Sequence, residues 1–287
     1  MIKVVFFGSF QIYSLQTLQK LLTCPEIKVT GIITTPPRPG NKLALTKTAV
    51  HQYSDDHQLP VLPLEDLDII PPELEKPDFI VVSGYGKLIP DVWLNFSKTM
   101  AINLHHSLLP KYPGRFPAEW AILRGESETG VTAIKMSPKF DQGEILAQQS
   151  IPILLTDTRE TLYQKLYDLA GDMACSLIPK ISQNQFTLTP RPATDFYARQ
   201  ITKDDGFVPF AFFLNQNSPE IPAILKDIPN QSDILDKMIR ALTPWPGVWT
   251  TLPNGKRMKI LNTEPVEVQI EGKTPVLWSE IAKYYTK

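Results

Sequence analysis

Two polar residues that lie two positions apart, Asn103 and His105, are the part of this chain best suited to acid–base chemistry. They belong to an extended run that begins at Ala101, and side chains two apart on a strand point to the same side. Asp141 follows farther along, in an Asp-x-Gly sequence. An amide N–H can hold a developing oxyanion, an imidazole can hold or exchange a proton, and a carboxylate can orient and charge the imidazole. Together these groups suit a reaction in which an amine attacks a carbonyl carbon.

The spacing of these residues resembles that of the folate-dependent formyltransferases. Residues 103–110 read Asn-x-His-x-Ser-Leu-Leu-Pro, residues 128–132 read Glu-Thr-Gly-Val-Thr, and residues 141–143 read Asp-x-Gly. The resemblance implies that the asparagine, the histidine and the aspartate are catalytic. It also implies that the loop after the catalytic histidine lines the folate site, namely Ser107, Leu108, Leu109 and Pro110.

The composition is that of an ordinary globular protein. The chain has 287 residues, of which 43% are hydrophobic and 21% charged, enough for one large domain or two of unequal size. The net charge is −1, so binding to nucleic acid would depend on local patches. There is no signal-like segment and no apolar run of the roughly 20 residues that a membrane span needs, so we expect a cytoplasmic protein. Cys24 and Cys175 show no metal spacing, which favours two reduced thiols, and we expect no metal.

The N-terminal half predicts an α/β fold with a Rossmann-like, mostly parallel sheet. Ile2–Phe7 and Val29–Thr34 read as buried strands, and apolar residues between Leu15 and Leu22 recur at helical spacing. A strand–helix–strand order with a crossover of this length argues for parallel strands. The turn at Gly8 has no G-x-G-x-x-G sequence, so a dinucleotide site is not supported.

A later strand, Asp78–Ser83, ends in a glycine-containing segment, Gly84–Pro90. Glycines at the carboxyl end of a parallel strand let a flat ligand approach the backbone closely. By resemblance to the family, Gly86, Lys87 and Ile89 would contact the pterin of the folate through main-chain groups. A tight turn into the next helix is the alternative interpretation.

The C-terminal part predicts a second, smaller domain. Residues 240–247, Arg-Ala-Leu-Thr-Pro-Trp-Pro-Gly, resemble the C-terminal OB-like β-barrel of the family members that act on methionyl-tRNA, and alternating segments follow at Met258–Asn262 and Val266–Ile270. We therefore expect a formyltransferase catalytic domain over residues 1–183 and a linker over 184–202. A tRNA-binding OB-like domain, shortened relative to the family, would cover 203–287.

Positive side chains in two places are candidates for binding tRNA. Arg38 and Lys42 lie in a proline-rich loop, where the methionyl-tRNA members carry a basic loop that wedges against the acceptor end of the tRNA. Lys256, Arg257 and Lys259 crowd around an Asn-Gly hairpin. The alternative interpretation is a solvated loop and a solvated hairpin tip.

The resemblance implies transfer of the formyl group of 10-formyltetrahydrofolate, a co-substrate, to the α-amino group of methionyl initiator tRNA. We expect the protein to be a monomer without a membrane partner. A sugar-nucleotide N-formyltransferase with the same folate donor is the closest alternative. The doubled His105-His106 is reminiscent of the formyltetrahydrofolate deformylases, which hand the formyl group to water. A tRNA- or folate-binding protein without catalysis is the alternative from a different class.

Overall fold

The structure is a computed structural model, and it describes residues 1–39, 45–229 and 231–286. The strands are β1 (Ile2–Phe7), β2 (Ile27–Thr34), β3 (Arg38–Pro39), β4 (Leu45–Thr46), β5 (Val61–Pro63), β6 (Phe79–Val82), β7 (Met100–His105), β8 (Glu128–Lys135), β9 (Ile145–Pro152), β10 (Val248–Thr251), β11 (Arg257–Thr263), β12 (Val266–Ile270) and β13 (Val276–Leu277). The α-helices are α1 (Tyr13–Thr23), α2 (Ala49–Asp56), α3 (Asp91–Leu94), α4 (Pro117–Leu123), α5 (Arg159–Ser182), α6 (Phe210–Leu214), α7 (Ile234–Leu242) and α8 (Trp278–Ile281).

The chain divides into two compact units, and the first comprises Met1–Arg115, Thr129–Pro152 and Tyr163–Ala198. Its sheet has seven strands in the order β5-β2-β1-β6-β7-β8-β9 within the described residues. The five strands from β5 to β7 run parallel, and β8 runs antiparallel to β7. The predicted mostly parallel, Rossmann-like sheet is confirmed. Because β6 and β7 are parallel neighbours, the segments that follow them begin side by side at one edge of the sheet.

The core of this unit comes from strands that are apolar along their whole length. Residues 79–82 of β6 are Phe-Ile-Val-Val, and all four are buried. Such runs are expected where helices cover both faces of a parallel sheet. On one face the ring of Phe7 meets the ring of Trp93 edge-on, with 5.0 Å between centroids, and the Trp93 indole N–H donates to the Leu67 carbonyl at 2.8 Å. These contacts hold Trp93 of α3 against the end of β1 and against the segment around Leu67.

Two helices begin later than the sequence predicts, because each begins directly after a capping threonine. The sequence predicts a helix from Thr46, but α2 begins at Ala49, and the hydroxyl of Thr48 accepts a hydrogen bond from the His51 N–H at 3.0 Å. The sequence also predicts a helix from Thr156, with Thr156 or Asp157 as its cap, but α5 begins at Arg159, and the hydroxyl of Thr158 accepts a hydrogen bond from the Thr161 N–H at 3.3 Å.

The prediction of two reduced thiols is wrong for this structure. Cys24, at the end of α1, is joined to Cys175 of α5 by a disulfide, with 6.0 Å between the Cα atoms and 151 residues between them in the sequence. Cysteine count and spacing could not reveal this pairing, because only the packing of α1 against α5 brings the two positions together.

The second unit comprises Phe116–Glu128, Ile153–Leu162 and Arg199–Lys287. Its sheet is antiparallel, in the order β10-β11-β12-β13, and α4 packs against α7. Its buried core holds alternate residues of the two central strands and a neighbour: Leu252, Met258, Val268 and Ile270. The predicted smaller C-terminal β domain is confirmed, whereas the domain limits of 183 and 203 stay a prediction. In the described parts of the chain, we find no helix with the length and apolar character needed to cross a membrane.

Candidate active site

Asn103 and His105 lie in the C-terminal half of β7, and their side chains point to the same face of the sheet, as their spacing predicts. Asn103 is paired with Val82 of β6, and His105 is paired with Thr132 of β8. His105 is 5% exposed. The central position of β7 therefore holds both side chains between two neighbouring strands, where their rotamers are restricted by packing.

Asp141 meets both of these side chains. Its Oδ1 accepts a hydrogen bond from Asn103 Nδ2 at 3.2 Å and lies 3.4 Å from His105 Nδ1. Its Oδ2 accepts from the backbone N–H of Gly114 at 2.9 Å. The carboxylate is 7% exposed, so its charge is compensated by these partners rather than by bulk water. The structure thus brings together the three side chains that the sequence singles out.

The Asp-x-Gly sequence has a steric explanation. Asp141 adopts a left-handed backbone conformation with φ +50°, which places it in a sharp turn between β8 and β9. Two residues later the chain returns to β8, and the Lys135 N–H donates to the Glu144 carbonyl at 2.9 Å. A Cβ at Gly143 would lie 1.8 Å from the Lys135 carbonyl oxygen, so a glycine is needed for this return. This turn places the Asp141 carboxylate beside Asn103 and His105 of β7.

The second ring nitrogen of His105 faces a backbone group that sequence reasoning missed. His105 Nε2 lies 3.0 Å from the carbonyl oxygen of Tyr112. Both ring nitrogens therefore face acceptors, an arrangement that a ring protonated at both positions satisfies fully. Tyr112 has φ +56°, and Gly114 has φ +122°. Gly114, in the Pro-Gly-Arg sequence, was the residue that could have indicated an unusual turn here. The contact itself could not be predicted, because any residue at position 112 has a backbone carbonyl.

The loop after β7 is held from β8 and β9. Thr132 Oγ1 donates to the Ser107 carbonyl at 2.6 Å and accepts from the Leu109 N–H at 3.0 Å. Gln148 Nε2 donates to the Leu109 carbonyl at 2.6 Å. Within the loop, Ser107 Oγ donates to the Lys111 carbonyl at 2.7 Å. Leu109 is buried, whereas Leu108 and Pro110 are half-buried. Thr132 and Gln148 were not predicted, although Thr132 closes the Glu-Thr-Gly-Val-Thr sequence.

The segment predicted to bind the pterin follows β6, the neighbour of β7. Gly86 is exposed, and a Cβ placed there would meet no heavy atom of the described residues within 4 Å. The Lys87 ammonium donates to the Glu65 carbonyl at 3.2 Å, and Ile89 is buried in the core. Burial raises the pKa of Tyr85 to about 12. The backbone at Gly86 is thus open to approach, but its role in binding the pterin stays a prediction.

His106 faces away from the other three polar groups, as strand alternation predicts. Its ring stacks on the ring of Tyr167, with 3.7 Å between centroids and 24° between planes. Its Nε2 lies 3.5 Å from Ser83 Oγ. Burial, and then the charge of the adjacent His105, lower the pKa of His106 well below its ordinary value, so the ring is neutral at physiological pH.

The cations predicted to bind tRNA are only partly described by the structure. Arg38 lies in β3 and is exposed, whereas Lys42 lies outside the described residues. Lys256 and Lys259 are exposed at and beside the hairpin that joins β10 to β11. Arg257 is half-buried, because its guanidinium carbon lies 4.2 Å from the centroid of the Trp249 ring. The exposed ammonium groups of Lys256 and Lys259 can bind phosphate. Arg257 can do so only through the part of its guanidinium that the Trp249 ring leaves uncovered.

The part of the chain that the structure describes holds no side-chain cluster suited to bind a metal. Across residues 1–39, 45–229 and 231–286, no group of three or more His, Cys, Asp or Glu side chains has a suitable arrangement.

Two solved structures with the same fold are N-formyltransferases. A 4-N formyltransferase from Francisella tularensis superposes with a TM-score of 0.65 at 16% identity, covering 89% of this chain and 95% of that one. A sugar N-formyltransferase from a Shewanella species gives a TM-score of 0.64 at 17% identity, covering 91% and 96%. At this identity the likeness extends to the fold alone.

Sequence comparison gives a closer relationship. Residues 2–178 match the family described as formyl transferase, and residues 230–283 match the formyl transferase C-terminal domain. The methionyl-tRNA formyltransferase of Latilactobacillus sakei is 34% identical over 96% of this chain and 82% of its own length. That of Enterococcus faecalis is 33% identical over 93% and 80%. The chain belongs to the methionyl-tRNA formyltransferase family of formyl-transferring enzymes.

Proposed function

We propose that Asn103, His105 and Asp141 catalyse transfer of the formyl group of 10-formyltetrahydrofolate to the α-amino group of methionyl initiator tRNA. This reaction would serve translation initiation in the cytoplasm, with a monomeric enzyme and without a membrane partner. The observation that supports the proposal most is the position of Asp141 Oδ1 within 3.2 Å of Asn103 Nδ2 and 3.4 Å of His105 Nδ1.

In the first step the neutral amine attacks the formyl carbon, and the formyl oxygen becomes an oxyanion. Asn103 Nδ2 carries two hydrogens, so one can bond Asp141 while the other donates to the oxyanion. Asp141 faces Nδ1 and orients the His105 ring, and a positive charge on that ring would stabilise the oxyanion. For direct donation, His105 Nε2–H would turn from the Tyr112 carbonyl towards the formyl oxygen.

In the second step the bond between the formyl carbon and the folate N10 breaks, and the carbonyl re-forms. The attacking nitrogen loses one proton and N10 gains one, so the protons balance. A water beside the Asp141 carboxylate would relay this proton, because a carboxylate can accept and orient its hydrogens. The products are formyl-methionyl-tRNA and tetrahydrofolate.

The substrates would be held by separate groups. Main-chain atoms of Gly86, Lys87 and Ile89 would bind the pterin, and the loop Ser107–Pro110 would line the rest of the folate site. Arg38 and Lys42 would meet the acceptor end of the tRNA. Lys256, Arg257 and Lys259 would contact tRNA phosphates, which bind Lys and Arg independently of sequence.

Alanine substitution of the two donors tests the chemistry. Asn103→Ala and His105→Ala should each lower kcat by a factor on the order of 10² or more, as loss of an oxyanion donor does elsewhere. Folate affinity, measured by fluorescence titration, should change little. His57→Ala is the matched control, because His57 is exposed on the surface. Turnover near that of the unaltered enzyme in either variant would contradict the assigned roles.

The sugar-nucleotide alternative is tested with acceptor substrates. We expect the enzyme to formylate methionyl-tRNA, and to show no comparable kcat/KM with an amino-sugar nucleotide at equal 10-formyltetrahydrofolate. A higher kcat/KM for the amino-sugar nucleotide would overturn the proposed acceptor while leaving the donor and the catalytic side chains in place.

A further inference from the structure

His106 is a buried titratable side chain that the proposed transfer does not use. It is 6% exposed, and its ring is stacked at 3.7 Å on that of Tyr167. It directly follows His105 in the sequence, at the end of β7. Any change in how it packs therefore acts on the backbone of the residue proposed to carry the catalytic charge.

The groups behind His106 form a buried polar network. Ser83 Oγ lies 3.5 Å from His106 Nε2 and 3.1 Å from Thr17 Oγ1. Thr17 Oγ1 donates to the Tyr167 carbonyl at 3.1 Å, and Ser14 Oγ donates to the Ser83 carbonyl at 2.8 Å. Ser14, Thr17 and Ser83 are each 0% exposed. The network thus connects α1, the end of β6, α5 and the back of β7.

Tyr167 connects this network to the segment predicted to bind the pterin. A Cβ built on Gly84 would lie 2.2 Å from the Tyr167 hydroxyl oxygen, and Gly84 has φ +67°. The turn at Gly84 therefore rests against the phenol, while His106 covers the face of the same ring. Ser83 and Gly84 lead directly into Gly86 and its neighbours.

We propose that His106 is a positioning residue for formyl transfer, which through its stack on Tyr167 holds His105 in place relative to the turn at Gly84. The proposal rests on the proposed function of His105. His106 acts through its neighbours and need not touch either substrate.

The charge state of His106 agrees with this role. Burial and the neighbouring His105 keep its pKa well below the ordinary value. The side chains that contact the ring are those of Ser83, directly after β6, and Tyr167 of α5, and Thr17 of α1 lies behind Ser83; all three are uncharged. A neutral ring stacks in this space without adding a second positive charge beside His105.

Three substitutions separate the stack from the polar contact. His106→Phe keeps an aromatic ring against Tyr167, His106→Asn keeps a polar group but no ring, and His106→Gly removes both. Since a misplacement of about 1 Å can cost 10²-fold, we expect kcat to fall roughly tenfold or more in the Asn and Gly variants, and to recover to within about threefold in the Phe variant. KM for methionyl-tRNA should stay unchanged in all three.

Two further measurements exclude a merely structural role. Thermal unfolding shows whether each variant is folded at the assay temperature, and the ring signals of His105 in ¹⁵N NMR should shift in the Gly variant and return in the Phe variant. In a His105→Ala background, His106→Gly should cause no further loss of kcat, because a residue that acts through His105 has nothing left to position.

The possible outcomes are distinct. Equal kcat in all three folded variants, losses that track thermal stability alone, or a full further loss in the double variant would each overturn the role of His106. If His105→Ala itself keeps the turnover of the unaltered enzyme, the proposed function of His105 fails instead.

Discussion

The carbonyl oxygen of Lys135 lies so close to Gly143 that a Cβ at Gly143 would be 1.8 Å away from it. This contact between β8 and the returning turn determines where Asp141 is placed. Gly143→Ala must push the turn away from β8, and we expect kcat to fall by about tenfold or more as the carboxylate leaves Asn103 and His105. Gln142→Ala, an exposed neighbour in the same turn, is the control. Steady-state kinetics measure kcat of both variants, and equal kcat values would show that Gly143 is not needed to place Asp141.

The hydroxyl of Thr132 should stabilise the loop that is predicted to line the folate site. Thr132→Val keeps the shape but leaves the Leu109 N–H and the Ser107 carbonyl without their partner, at a cost of about 1–3 kcal/mol in the free energy of unfolding. KM for 10-formyltetrahydrofolate should rise as well. Thr132→Ser keeps the hydroxyl and should behave as the unaltered enzyme. Urea unfolding and kinetics of the pair test this, and equal effects of Val and Ser would refute it.

The three cations at the β10–β11 hairpin should control the salt dependence of tRNA binding. Replacing Lys256, Arg257 and Lys259 by Ala should weaken methionyl-tRNA binding and flatten the log–log salt slope by about two to three units, at roughly 0.9 per phosphate. Folate binding should be unaffected.

The matched control removes the same charge from exposed lysines of the same unit, Lys226, Lys273 and Lys283. If both triple variants changed the slope equally, net charge rather than the hairpin would be responsible. An unchanged slope in the hairpin variant would mean that this domain is structural and that tRNA binds elsewhere.

Acid should destabilise the protein well above the range in which carboxylates titrate. Burial lowers the pKa of His106 and of His51 below the ordinary value of 6.5. Below pH 6.5 the unfolded chain therefore binds more protons than the folded one, so the free energy of unfolding falls as the pH decreases. The slope is at most about 1.4 kcal/mol per pH unit for each group.

His106→Phe removes one of these two groups. Urea unfolding at pH 7.5 and pH 5.5 should therefore show a smaller loss for the variant than for the unaltered protein. Identical losses would mean that His106 is protonated in the folded state at pH 5.5, contrary to the lowered pKa.

The sequence was informative wherever a pattern is local. Apolar runs predicted β1 and β6, and the segment from Ala101 was predicted as the strand that is β7. Strand alternation predicted that Asn103 and His105 share a side while His106 faces away. Helix starts were less accurate, since the capping by Thr48 and Thr158 places the first turn a few residues later than predicted. A periodicity of apolar residues does not carry that information.

Contacts between distant segments could not be predicted in the same way. The Tyr112 carbonyl is a backbone atom, and the pairing of Cys24 with Cys175 depends on how α1 and α5 pack. Thr132 and Gln148 act by supporting the loop from neighbouring strands, which a one-dimensional pattern does not show. The motif of the family pointed to Asn103, His105 and Asp141, and the structure added the groups that hold them.

One oxygen of Asp141 serves both Asn103 and His105. Any replacement at position 141 therefore changes the surroundings of two other side chains at once, and no single compensating change at 103 or 105 can restore both contacts. Across related enzymes we expect these three positions to be retained together or altered together. Related sequences that keep only two of these three residues should be rare.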